Sequence, residues 1–206
     1  MTISLSIPRE YQTIIEDFLL IYWTRRSAEI SGLTSRKLKL PPADPDELFQ
    51  SQLAEDLTLI ARAAAGELGR DKAAQLADCI WSLFRRLYFL NRLNEEQLLR
   101  SIPEPFWTSN LGKMVARALL WLRADDLITI REAAKLVNLK IPTIRQCLDM
   151  GRLTPYYNPD AASLYHQSTF VSRIEVQQLM VSQQEKQTHG KKKSRYKNTQ
   201  GADSDF

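Results

Sequence analysis

A chain of 206 residues, 44% of them hydrophobic, is long enough to bury a core as one large domain or two small ones. Lys and Arg number 28 against 24 Asp and Glu, and a formal +4 signals nucleic-acid binding only if it is concentrated somewhere. Two cysteines, Cys79 and Cys147, and two histidines, His166 and His189, exclude a disulfide framework and a Cys-based zinc site, leave little for a His-dependent centre, and suit a reducing cytoplasm.

The opening MTISLSIPRE has no basic stretch leading into an apolar run, so no secretory leader is expected. Apolar runs are short: Arg25 and Arg26 follow Phe18 to Trp23, and Arg117 lies within Met114 to Leu122, whereas a membrane span needs roughly 20 apolar residues. No membrane partner is expected. Tyr11, Ile15, Phe18 and Tyr22 recur at helical spacing after Pro8, predicting a helix from about 8 to 30 that ends near Gly32. The segment that follows holds Gly32, Pro41, Pro42 and Pro45 and predicts a long basic loop.

Asp44 and Glu47 have capping-box spacing, and the stripe Phe49, Leu53, Leu57, Ile60, Ala64 and Leu68 predicts a second helix stopped by Gly69. A third, from Asp71 to about Asn91, carries Leu76, Ile80, Leu83, Leu87 and Leu90 together with Trp81, Phe84, Tyr88 and Phe89. So much apolar surface places it at the centre of a bundle, with a dimer seam as the alternative. Asn94 starts a short fourth helix closed by Pro103 and Pro105, and a fifth runs from about Ser109 to Ala124. All four tryptophans precede residue 124, which sets a boundary there. Residues 1–124 are therefore expected to be a helical bundle serving oligomerisation, effector sensing or a protein partner.

From Leu127 the texture changes. Thr129 and Glu132 form a capping box for a helix that turns Ala133, Ala134, Leu136 and Val137 to one side. Asn138 suits a left-handed turn, Leu139 is expected to bury, and Pro142 opens a helix with Ile144 and Leu148 inward, ending at Gly151. Residues 152–157 and 164–171 are rich in Tyr, Thr, Leu, Phe and Val, and Asn158, Pro159 and Asp160 between them supply a turn, predicting a β-hairpin. Ser172 and Glu175 cap a last helix whose Ile174, Val176, Leu179 and Met180 close the unit. The expected architecture is mainly α: a helical bundle over 1–124, a small winged helix-turn-helix with a β-hairpin wing over 125–182, and a disordered basic tail over 183–206.

The segment ITIREAAKLVNLKIPTIRQCLDMGRLTPYY resembles the start of MerR-like and excisionase-like winged helix-turn-helix domains. The matches are Thr129, Glu132, Ala133, Ala134, Leu136, Leu139, Thr143, Ile144, Arg145, Leu148, Gly151 and Leu153, with Val171 to Met180 similar beyond them; nothing in residues 1–124 takes part. Where relatives place a turn glycine, this chain has Asn138. The resemblance implies DNA binding and, less directly, excision control of a mobile element.

On DNA, the outward side chains of the second helix of such a unit meet base edges, where Arg and Gln form paired hydrogen bonds. Arg145 and Gln146 are the expected base readers, Thr143 and Lys140 the phosphate contacts, and Arg152, Tyr156 and Tyr157 the wing contacts; ordinary cross-strand packing is the other reading of the two tyrosines. Residues 184–200 hold Lys186, Lys191, Lys192, Lys193, Arg195 and Lys197 against Glu185, a net +5 suited to phosphate contact. No Gly-rich phosphate loop, paired carboxylates or nucleophile–base pair can be assembled, so neither an enzyme nor a cofactor is expected. The expected function is a cytoplasmic, sequence-specific DNA-binding transcriptional regulator. The alternative is an adaptor whose bundle holds a protein partner while the winged unit and tail bind protein or RNA.

Overall fold

The computed structural model describes residues 7–33, 44–88, 93–160 and 169–181. The chain is mainly helical, with a small three-stranded sheet. It groups into two compact units, Met1–Asp125 with Tyr156–Ser168, and Asp126–Pro155 with Thr169–Phe206.

In the first unit α1 spans Arg9–Leu33. Its buried face is Tyr11, Ile15 and Leu19, in steps of four, so the stripe drifts from the expected Phe18 and Tyr22. Those two are half-buried and stack on each other at 5.8 Å. The expected second helix is broken into α2 (Pro45–Phe49) and α3 (Gln52–Ala64). Ser51 adopts extended backbone and its hydroxyl accepts from the Ala54 amide, making a new helix start inside the predicted one. The stop also differs: Gly66, with φ of 75°, is the left-handed residue, while Gly69 is extended.

A single 3₁₀ turn, Arg70–Lys72, leads into α4 (Ala73–Tyr88), and the predicted end of that helix near Asn91 lies outside the described residues. Arg70 donates to the Trp121 carbonyl at 2.6 Å with its guanidinium over the indole ring. Asn94 caps α5 (Glu95–Ser101) through a full capping box with Gln97. Helix α5 closes just before Pro103, as expected, and Pro103 then occupies the cap position of a further short helix, α6 (Glu104–Thr108). Ser109 then caps α7 (Asn110–Leu122).

The centre of this unit is α3 rather than the predicted α4. Helix α3 packs on α1, α2, α4 and α7, most extensively on α7. The reason is side-chain size: Ala54, Ala61 and Ala63 on α3 and Ala116 and Ala118 on α7 are all buried, and small residues let helix axes approach. Helix α4 contributes Leu76, Ile80, Leu83 and an aromatic edge in which Phe84 meets Phe106 and Trp107 at 5.7 and 5.9 Å.

In the second unit, strand β1 (Leu127–Thr129) leads straight into α8 (Ile130–Leu136), followed by α9 (Ile141–Asp149). Two strands follow, β2 (Tyr156–Tyr157), grouped with the first unit, and β3 (Thr169–Ser172); the expected hairpin segment between them, 161–168, lies outside the described residues. β1 pairs antiparallel with β3, placing Ile128 opposite Val171. Residues 173–181 form the last helix, α10. Its first amides are satisfied by Asp126: the Arg173 amide donates to the Asp126 carbonyl at 2.8 Å and the Ile174 amide to its carboxylate at 3.2 Å.

One core cluster holds this unit: Ile128, Ile130, Ala133, Ala134, Ile144, Cys147, Leu153, Val171 and Val176, with Val137, Leu139, Ile141, Leu148 and Leu179 half-buried around it. Three residues predicted inward face out instead, namely Leu136 at 43% exposure, Ile174 at 57% and Met180 at 41%. Helix α10 touches the core through Val176 and Leu179 alone, a narrower stripe than its apolar content suggests.

Candidate nucleic-acid interface

The α8–turn–α9 unit is built from local signals. The Thr129 hydroxyl accepts from the Glu132 amide at 3.2 Å, and the Glu132 carboxylate accepts from the Thr129 amide at 2.8 Å and hydroxyl at 2.9 Å. These bonds from Thr129, backbone then side chain, hold the Glu132 carboxyl below its ordinary range, helped by Arg173 and Lys135. Asn138 turns the chain with φ of 52°, and the Leu139 amide reaches back to the Ala134 carbonyl at 2.9 Å. Helix α9 starts with Pro142 in its first turn and ends at left-handed Gly151, after which the Arg152 amide donates to the Cys147 carbonyl at 2.8 Å.

The predicted capping box of Ser172 and Glu175 is half formed. Ser172 accepts from the Glu175 amide at 3.2 Å, but the Glu175 carboxylate accepts from the Thr154 amide at 2.7 Å. This carboxylate ties the chain just beyond α9 to α10 and answers the buried amide of Thr154.

The rotation of α9 decides which predicted readers are available. At about 100° per residue, burial of Ile144 and Cys147, with Ile141 and Leu148 half-buried, leaves Pro142, Gln146, Asp149 and Met150 on the exposed side. Gln146 therefore faces outward as expected. Thr143 and Arg145 flank the core on either side and are half-buried, rather than outward as predicted. The Arg145 Nε is enclosed with no hydrogen-bond partner among the described residues. Lys140 is exposed at the cap position of α9 and makes no side-chain cap bond, and Arg152 is exposed beyond the helix.

Lys140, Thr143, Arg145 and Gln146 thus lie within two turns of one element, joined by Arg152 at its far end. The tyrosines are grouped with the first unit. Tyr156 is buried, and Tyr157 packs on Trp107 at 5.3 Å within the first unit, where burial, then the charge of Glu104, pushes its phenol pKa up. Lys191, Lys192, Lys193, Arg195 and His166 lie outside the described residues.

Sequence reasoning missed Asp126 as the group that satisfies the first amides of α10, and Thr154 as the partner of Glu175, since neither lies close to α10 in sequence. Both cysteines are buried, and burial, followed by the neighbouring Asp56, pushes the Cys79 thiol up to about 12. The described residues bring together no group of three His, Cys, Asp or Glu able to hold a metal ion, and none of their helices is long and apolar enough to cross a membrane. Compared with protein-family models, curated proteins and solved structures, the chain matches none.

Proposed function

We propose that this protein is a sequence-specific DNA-binding transcriptional regulator of the cytoplasm, acting without catalysis and resembling MerR-like and excisionase-like winged helix-turn-helix proteins. One observation carries the reading: two short helices meet across the left-handed Asn138, and the second exposes Gln146, with Lys140 exposed at its cap position and Thr143 half-buried at its flank. Helix α9 enters the major groove by this face. Gln146 reads adenine through paired bonds to its edge, Arg145 extends from the flank to a guanine or a phosphate, and Lys140, Thr143 and Arg152 hold the backbone. The cations of 184–200 add contacts without sequence preference.

Selection of binding sites from a random DNA pool, followed by affinity measurement across salt concentrations, tests this. The expected result is an enriched motif, salt-sensitive binding, and a loss of about 1–3 kcal/mol for Gln146→Ala on that motif with little change on other DNA. A pool without enrichment, or a preference untouched by both Gln146→Ala and Arg145→Ala, rejects the reading. The second reading, an adaptor that holds a protein partner, draws on exposed Leu20, Ile21 and Ile30 along α1. A stoichiometric partner that survives nuclease treatment and is lost in Ile21→Asp supports it.

A further inference from the structure

Among the described residues of the first unit, every large hydrophobic left exposed lies on α1: Leu20 at 54%, Ile21 at 66% and Ile30. The cause is length. At 25 residues α1 is about 37 Å long, nearly twice the 13-residue α3 and α7 on which it packs. It is anchored through Tyr11, Ile15 and Leu19, and none of its described residues beyond Leu19 is buried. At about 100° per residue, Asp17, Leu20, Ile21, Thr24, Arg25 and Ala28 share the side turned away from those anchors, and all six are exposed.

The charges on this side identify the occupant. Asp17 and Arg25 stand one helical turn before and after Ile21, with opposite signs, and neither forms an ion pair among the described residues. In a twofold contact residue i meets j while j meets i. An antiparallel copy crossing at Ile21 therefore sets each Asp17 against the other copy's Arg25, one pair on either side of two apposed Ile21 side chains. A parallel copy would set Asp17 on Asp17 and Arg25 on Arg25, so the sign pattern selects the antiparallel arrangement. Thr24 can be covered without leaving a polar group unanswered, because its hydroxyl already donates to the Leu20 carbonyl at 2.8 Å. An unrelated protein would have to bring matching charges of its own; a second copy has them.

We infer that α1 is a homodimer interface: two copies of the chain pack antiparallel through Leu20, Ile21 and Thr24, flanked on each side by an ion pair between Asp17 and Arg25. The inference does not rest on the DNA-binding reading. It takes the face that the adaptor reading gives to another protein and assigns it to a second copy.

Sedimentation velocity of the full chain over a concentration series at low salt tests this, with no DNA present. The wild-type chain dimerises, and Ile21→Ser, at an exposed position, removes the dimer without lowering the unfolding midpoint. Asp17→Arg and Arg25→Asp each turn two attractive pairs into repulsive ones and weaken the dimer about tenfold, an effect that fades with added salt. The double variant Asp17→Arg with Arg25→Asp recovers the wild-type affinity. An equimolar mixture of the two single variants recovers it too, since each carries the charges that the other lacks, and this rescue excludes damage to either fold. A chain that stays monomeric across the series, a dimer that Ile21→Ser leaves intact, or charge variants with no effect alone or no rescue together overturns the proposal. A monomer that binds a different protein through Ile21 overturns it in favour of the adaptor reading.

Discussion

Asn138 holds a backbone conformation, φ of 52°, that costs most side chains roughly 1–2 kcal/mol and that asparagine and glycine accept. Asn138→Val is therefore expected to destabilise the second unit by about 1–2 kcal/mol and Asn138→Gly to stay within about 0.5 kcal/mol, both measured by denaturant unfolding. Cys79 makes a second residue-scale prediction. Its thiol is held protonated to about 12, chiefly by burial and then by Asp56, whose carboxylate lies 3.5 Å away. The unfolded chain releases this proton near the ordinary thiol value of 9.0, so between the two values the folded state binds more protons than the unfolded state. Stability is then lost as pH rises from about 9 toward 12. Cys79→Ala, followed by unfolding from pH 7 to 11, should flatten part of that decline. An unchanged slope would assign the alkaline loss to other groups, Tyr88 and Tyr157 among them, whose phenols burial also raises.

Elements were legible where their signals are local. The boxes at Thr129–Glu132 and the cap at Asn94 rest on residues three apart, and the turn at Asn138 on one residue's tolerance for left-handed backbone. What remained hidden depends on partners distant in the chain. Nothing in Leu127–Thr129 alone announces a strand, because its pairing is supplied by Thr169–Ser172. An inward Ile144 and Leu148 point Arg145 outward; with Cys147 and Ile141 packed beside them, the rotation of α9 brings Arg145 to the flank. Helix α6 was obscured by two prolines, because Pro103, which follows the close of α5, also starts the next helix. The packing of α6 on α7 makes its own prediction. At Gly112 an added Cβ would overlap the Phe106 carbonyl, backbone that cannot swing aside as a side chain would. Gly112→Ala should cost about 1–3 kcal/mol despite alanine's better helix propensity, seen as a lowered melting temperature. An unchanged melting temperature would mean that α6 shifts freely.

Across the whole molecule, charge and shape are divided between segments. Residues 1–124 carry 16 basic and 15 acidic residues and residues 125–206 carry 12 and 9, so most of the excess lies in the second part. Within that part, 129–183 hold six basic against four acidic residues, little for a unit expected to hold DNA, while 184–200 hold a net +5. If the α9 face supplies sequence preference and the basic segment supplies affinity, substitutions in each should move different observables. Each engaged phosphate contributes about 0.9 to the slope of log affinity against log salt. Replacing Lys191, Lys192, Lys193 and Arg195 with Gln in the full chain should therefore lower that slope by about 3 to 4 and weaken binding most at low salt, leaving the ranking of DNA sequences unchanged. Gln146→Ala should do the reverse, changing the ranking and leaving the slope alone. A slope unmoved by the fourfold substitution would assign the phosphate contacts to Lys140, Arg152 and the exposed cations of α8, Arg131 and Lys135, and would leave the basic segment no part in binding.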